Sequence, residues 1–327
     1  MNIKTAVRFF IVMLFFSACS SETDVDLSEV DIEPVRIRRY GKDLFAIDPG
    51  RVKEGLDQLA DEYRIFIGDA YEDTLNLIQI REYVTDPFLL ELYEATMKEY
   101  PDVDFLEKKL TRAFTYHKYY FPREKLPAVF TYISGVDATY PVRYTDTVMI
   151  IGLDCYLGKD FTPYKRLRIP EYQAKRMTRE YIPRDCMKEM ATMNFTPESQ
   201  GDRLIDIMIA GGKIHYFLEK ILPGTPEHIL MGYTPGKLAW CENNEGKIWA
   251  FLIENQLLFV SDPSKINKLV QDGPFTSFFS RESPAKTGIW TGWQIVRKYM
   301  DRNDVTLPEL MNNHNAQEIL NRSGYKP

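Results

Sequence analysis

Cysteine and histidine are scarce in this chain, and neither is arranged for familiar chemistry. Four cysteines occur in 327 residues, and no two form a C-x-x-C pair. A disulfide scaffold is therefore excluded, and a cysteine zinc site is disfavoured. The four histidines, His117, His215, His228 and His314, never stand four apart, so there is no H-E-x-x-H helix. The segment AGGKI (210–214) has the wrong glycine spacing for a phosphate loop and places Ile214 after the lysine. G-x-S-x-G is absent, which removes the hydrolase elbow. A net charge of −6 with no basic block argues against a nucleic-acid partner. No repeat of fixed period is visible.

The N-terminus supplies a positive signal. Lys4 and Arg8 precede FFIVMLFF (9–16), an apolar run too short for a bilayer core of about 30 Å but suited to a secretory signal. It ends in Phe16, Ser17, Ala18 and Cys19, which resembles a lipobox with Phe in place of the usual Leu. Residues 1–18 are thus read as a signal peptide, and Cys19 as the lipid-attachment residue. Several acyl chains, at about 0.8 kcal/mol per buried methylene, give stable membrane attachment. The other cysteines, Cys155, Cys186 and Cys241, are expected as buried free thiols. Residues 19–34 are acidic and read as a tether, leaving 35–327 as the folded domain.

Within that domain, VRIRRYGKDLF (35–45) reads as a short strand. Asp48–Pro49 and Asp86–Pro87 each read as a helix cap followed by a first-turn proline. The first hundred or so residues are predicted helical, up to Pro122. AVFTYISG (128–135) and DTVMIIGLDCYLG (146–158) read as strands. Long helical stretches follow over 170–193, with Pro183 able to kink or divide it, and over 197–222. The remainder is mainly helical. The predicted class is α+β, mostly helical with a small sheet.

Two features of the second half invite functional readings. Trp290 and Trp293, three apart, share a helix face. With Tyr299 and Met300 they are candidates to line a cleft for a peptide or glycan; the alternative is a core helix. Gly211 and Gly212 lie inside a predicted helix, where each costs about 1 kcal/mol against alanine. Close helix packing is the simplest compensation. The polar loop PFTSFFSRESPAKTG (274–288) is long enough to suggest function.

The stretches MGYTPGKLAWC (231–241) and SPAKTGIWTGWQIVRKYM (283–300), with the terminal S-x-Y-K-P, resemble the GldB family of Bacteroidetes gliding-motility lipoproteins. GLDCYLG and the helical first half fit the same family. The resemblance covers nearly the whole chain. It implies a cell-envelope role beside the gliding and type IX secretion machinery, with envelope proteins as partners. The acidic residues after Cys19 loosely resemble a surface-export signal, but such tethers are common, and a periplasm-facing location is expected in preference to the surface.

That family is distantly similar to predicted zinc peptidases. These carry a strand, a helix with H-E-x-x-H, and a second helix with Glu-Gly near its middle. By that similarity the fold is a degenerate zincin-like scaffold. The metal positions fall on Arg184, Asp185 and Lys188 of EYIPRDCMKEMATMNF (180–195), and on Gly211. Two cations replace the histidines, Asp185 is one methylene shorter than the glutamate base, and glycine replaces the third ligand. The chain is accordingly expected to bind no cofactor and to be no enzyme. The alternatives are a peptidase or peptidoglycan hydrolase with a site assembled from distant residues, and a glycan or peptide binder.

Overall fold

The structure is a computed structural model that describes residues 25–68, 71–196 and 201–327. Cys19 and the signal peptide lie outside the described residues. Four short strands, β1 (Ile37–Arg38), β2 (Ala128–Tyr132), β3 (Val142–Thr145) and β4 (Val148–Gly152), form one sheet in the order β1-β2-β4-β3. β2 is parallel to β1 and β4, whereas β3 runs antiparallel to β4, with Val142 opposite Ile151. The period-two alternation of strands assigns the faces. Phe130 and Val148 turn to a smaller core, while Val129, Met149 and Ile151 join the main one.

The helices α1 (Tyr40–Phe45), α2 (Val52–Ile67) and α3 (Thr74–Thr85) supply the smaller core, including Leu44, Leu56, Tyr63 and Val84. α4 (Pro87–Glu99) and α5 (Asp104–Tyr120) contribute Leu92, Leu106 and Leu110 to the main core. Asp86 caps α4 as its sequence predicts. Its Oδ1 accepts from the amides of Phe88 and Leu89 at 2.8 and 2.9 Å, and Pro87 occupies the first turn. Asp48 instead closes a turn, accepting from the Gly50 amide at 2.8 Å, and α2 starts four residues later.

After β4 come α6 (Thr162–Arg166), α7 (Glu171–Ala174), α8 (Ile182–Phe195), α9 (Leu204–Ile221), α10 (Glu227–Met231), α11 (Pro235–Glu254), α12 (Pro263–Val270), α13 (Thr287–Arg302), α14 (Leu307–Asn312) and α15 (Ala316–Ser323). The class is therefore mostly helical α+β. One local expectation is corrected. The strand read at 35–45 is only two residues long, because the chain turns into α1 at Tyr40. The stretch 170–193 is divided, one of the two outcomes read for Pro183, which sits in the first turn of α8, where its missing N–H is harmless. Val25, Leu27 and Ile32, within the acidic stretch, pack on the main core.

The centre of the second half is the crossing of α9 and α13. A methyl on Gly212 would stand 2.7 Å from the Trp293 amide nitrogen, and one on Gly292 would collide with the Met208 carbonyl. The two backbones touch, which accounts for glycine inside both helices. The C-terminus then closes over this pair. α15 packs on α13, and buried Tyr325 donates its hydroxyl to Glu245 Oε1 at 2.7 Å.

Gly292→Ala gains about 1 kcal/mol of helix propensity. It forces α13 off α9, and overpacking of this kind costs about 1–3 kcal/mol, more where backbone is the obstacle. The expected outcome is a net loss of about 2 kcal/mol, seen as a lower urea midpoint. An unchanged midpoint would mean that the helices do not meet through glycine.

Candidate functional site

α8 lies against β3, α5 and α9. Its first two turns carry Arg184, Asp185 and Lys188 into a cleft of about 440 Å³. The structure thus brings together three of the four residues singled out on the zinc-peptidase analogy. Arg184 is 5% exposed. Its Nη1 donates to Asp185 Oδ1 at 2.6 Å, and its Nε to the Leu230 carbonyl at 3.0 Å. The other carboxylate oxygen of Asp185 accepts from the Tyr156 hydroxyl at 2.9 Å. Tyr156 sits in the single helical turn that follows β4, and burial pushes its hydroxyl well above the usual phenol range. Each oxygen of Asp185 thus accepts one hydrogen bond, and its ion pair is with Arg184, not with Lys188.

Three further cleft residues come from elsewhere in the chain. Arg176 pairs with Asp272, and Lys286, the residue before α13, stands 3.8 Å from the same carboxylate. Burial alone would raise the Asp272 carboxyl; the charges of Lys286 and Arg176 outweigh it and hold it below its ordinary value. Burial in turn pushes the Lys286 ammonium well below the usual lysine range. Lys188 makes no hydrogen bond or ion pair through its ammonium among the described residues. The neighbouring Arg184 charge, together with burial, lowers it to about 8.

Behind α8 lies His215 of α9, 4% exposed. Its Nδ1 meets the Gly211 carbonyl at 2.8 Å, so this nitrogen carries the proton and Nε2 keeps a bare lone pair. Burial and the positive Arg184 hold the ring neutral, well below the ordinary histidine value.

Comparison with protein families decides the relationship. The sequence profile described as "Gliding motility protein GldB" matches residues 20–327. The chain belongs to the GldB family. Its role accordingly lies with gliding motility and the cell envelope. Comparison with curated proteins and with solved structures gives no match.

Within this GldB-family chain, the residues at the zinc-helix positions do not fit a zinc ion. Zinc needs lone pairs from neutral imidazoles and free carboxylates. Arg184 presents only N–H donors, Lys188 is an ammonium near neutral pH, and Asp185, the one carboxylate, is ion-paired with Arg184 and bonded to Tyr156. Gly211 offers no side chain, and its Cβ position is filled by Ile289, 2.8 Å away. Among the described residues no group of three or more His, Cys, Asp or Glu could hold a metal. Cys155, Cys186 and Cys241 are buried and free, as expected, and burial raises each thiol.

The tryptophan reading is corrected. Trp290 and Trp293 are 2% and 0% exposed and do not line the cleft. They do share a helix face, but both rings are buried in the core, with Trp293 against Glu219 and His215 of α9. Trp293 donates its indole N–H to Glu219 at 3.0 Å, and Arg297 covers its ring at 4.0 Å. The aromatic walls of the cleft are instead Tyr140, Tyr156 and Tyr172. Arg176, Asp272 and Lys286 were missed, because no local spacing joins them to α8. The one available signal was the 274–288 loop, which ends beside Lys286.

Asp185→Ala would leave the Arg184 guanidinium buried without its carboxylate. Breaking such a pair costs about 3–5 kcal/mol. Adding Arg184→Met to it is expected to restore much of the loss in urea unfolding. Additive losses would show that the pair is not coupled. After incubation with zinc and desalting, the purified full chain is expected to retain far less than one zinc per chain by mass spectrometry. Near-stoichiometric zinc would overturn the assignment of the cleft.

Proposed function

We propose that this GldB-family chain is a lipid-anchored cell-envelope protein that supports the gliding and type IX secretion machinery by contact, without catalysis. Cys19 carries the lipid after removal of residues 1–18. The acidic segment from Cys19 to residue 34 links the anchor to the folded domain at 35–327, with Val25, Leu27 and Ile32 holding its second half on the body. The domain faces the periplasm and is a degenerate zincin-like scaffold, in which Arg184, Asp185, Lys188 and Gly211 occupy the vestigial metal positions.

One observation carries the non-catalytic part. Where a zinc helix would offer ligands, this helix offers a buried guanidinium, a lysine ammonium and a carboxylate already bonded to Arg184 and Tyr156. The family match supports the envelope role. The lipid anchor rests on the N-terminal sequence. No described helix is long and apolar enough to cross a membrane.

Deletion of the gene in a gliding bacterium that carries it is expected to abolish spreading and to reduce type IX secretion. Restoring the chain with Cys19→Ser should leave the protein in the soluble fraction and fail to complement. Intact gliding and secretion in the deletion strain would remove the proposal.

A further inference from the structure

The cleft collects four cations that the sequence keeps apart: Arg176, Arg184, Lys188 and Lys286. Three of them have carboxylate partners. Arg184 is paired with Asp185, and Arg176 and Lys286 share Asp272. Lys188 has none among the described residues. Arg184, although nine-tenths buried, also keeps its Nη2 without any acceptor. Buried donors are normally satisfied, and an exception calls for a missing partner. The Lys188 ammonium and the Arg184 Nη2 group, on the same helix, therefore remain unmatched, and both residues line this cleft.

The remaining capacity suits a single negative charge. A dianion such as phosphate would bring excess charge beside Asp185, Glu189 and Asp272. The surroundings suit an organic ligand. A second cavity of about 480 Å³ shares Tyr172, Arg176 and Asp272 with the cleft, and its far wall is Tyr233, Pro274 and Pro284. Rings and prolines next to a charged end provide apolar contact for side chains beside a carboxylate anchor.

We propose that the cleft binds the free C-terminal carboxylate of a peptide, anchored by the Lys188 ammonium and the Arg184 guanidinium, with the preceding residues in the adjoining Tyr/Pro-walled cavity. This rests on the non-catalytic reading of the cleft and gives its partner a chemistry.

The groups facing Lys188 set the pH dependence. They are Arg184, Asp185 and Glu189 on its own helix, Tyr156 after β4, Arg176 after α7, Asp272 and Lys286 before α13, and His215 on α9. With the cleft empty, Lys188 titrates at about 8. A bound carboxylate raises that value, so binding takes up a proton in the window above it. Affinity is full from about pH 5, above the peptide carboxyl's own pKa of about 3.5, up to pH 8, and falls about tenfold per unit above, as expected for one linked proton.

The test uses the full chain in detergent micelles and two pools of N-acetylated tripeptides randomised at every position. One pool ends in the free acid, the other in the amide. Peptides retained on ultrafiltration are identified by mass spectrometry and then titrated singly by calorimetry. Acids are expected to be retained, with their amides at least tenfold weaker. Lys188→Gln, with an unchanged urea midpoint as the control on folding, should lower affinity at least tenfold and remove the decline above pH 8. Equal retention of acids and amides, no retention from either pool, or binding indifferent to Lys188→Gln would overturn the proposal. Inorganic phosphate binding more tightly than every peptide would also overturn it, in favour of a phosphate site. Cleavage of a retained peptide would sink the non-catalytic reading and leave the carboxylate site standing. Failure of every acid to bind would remove the site and leave the motility reading untouched.

Discussion

The contact on which the second half of the molecule depends is backbone against backbone, at Gly212 of α9 and Gly292 of α13. Two helices that meet without side chains between them have little freedom to slide, because any shift brings a neighbouring Cβ into the opposing carbonyls. This fixes the end of α13 that carries Lys286 relative to α9. α8 packs on α9 from another side, and so Arg184 and Lys188 are set against Lys286. The cleft is thus a product of helix packing. No local motif could have encoded it.

Holding several cations together in a partly dry cleft is costly unless carboxylates are interleaved with them. The structure meets this with Asp185 and Asp272, each bound to an arginine. The compensation is incomplete at Lys188, whose lowered titration point records the repulsion from Arg184. The same arrangement explains why His215 stays neutral beneath α8: protonation would add another cation to a region already rich in them. A site of this composition repels metal ions and attracts anions, the reverse of what a zinc helix requires.

How much of this was legible in the sequence differed with the range of the interactions concerned. Asp86–Pro87 capping, the strands Ala128–Tyr132 and Val148–Gly152, and the glycine pair in α9 depend on neighbours within a turn or on one face, and each was readable. β3 was not predicted, because Val142–Thr145 is short and its Arg143 and Thr145 face solvent. The spacing of Trp290 and Trp293 revealed a shared face correctly. Spacing alone carries no information about whether that face meets water or another helix. Arg184 and Lys188 were visible as misfits in a familiar pattern, whereas Arg176, Asp272 and Lys286 become neighbours of α8 only through the long-range crossing of α9 and α13.

The α15 layer bears on a cleft that it does not touch. Tyr325, two residues from the end, closes against Glu245, and α15 lies on α13. Without this layer α13 keeps its crossing with α9 but loses its packing on α15. Neither α15 nor Tyr325 lines the cleft, yet both bear on the placing of Lys286 through α13.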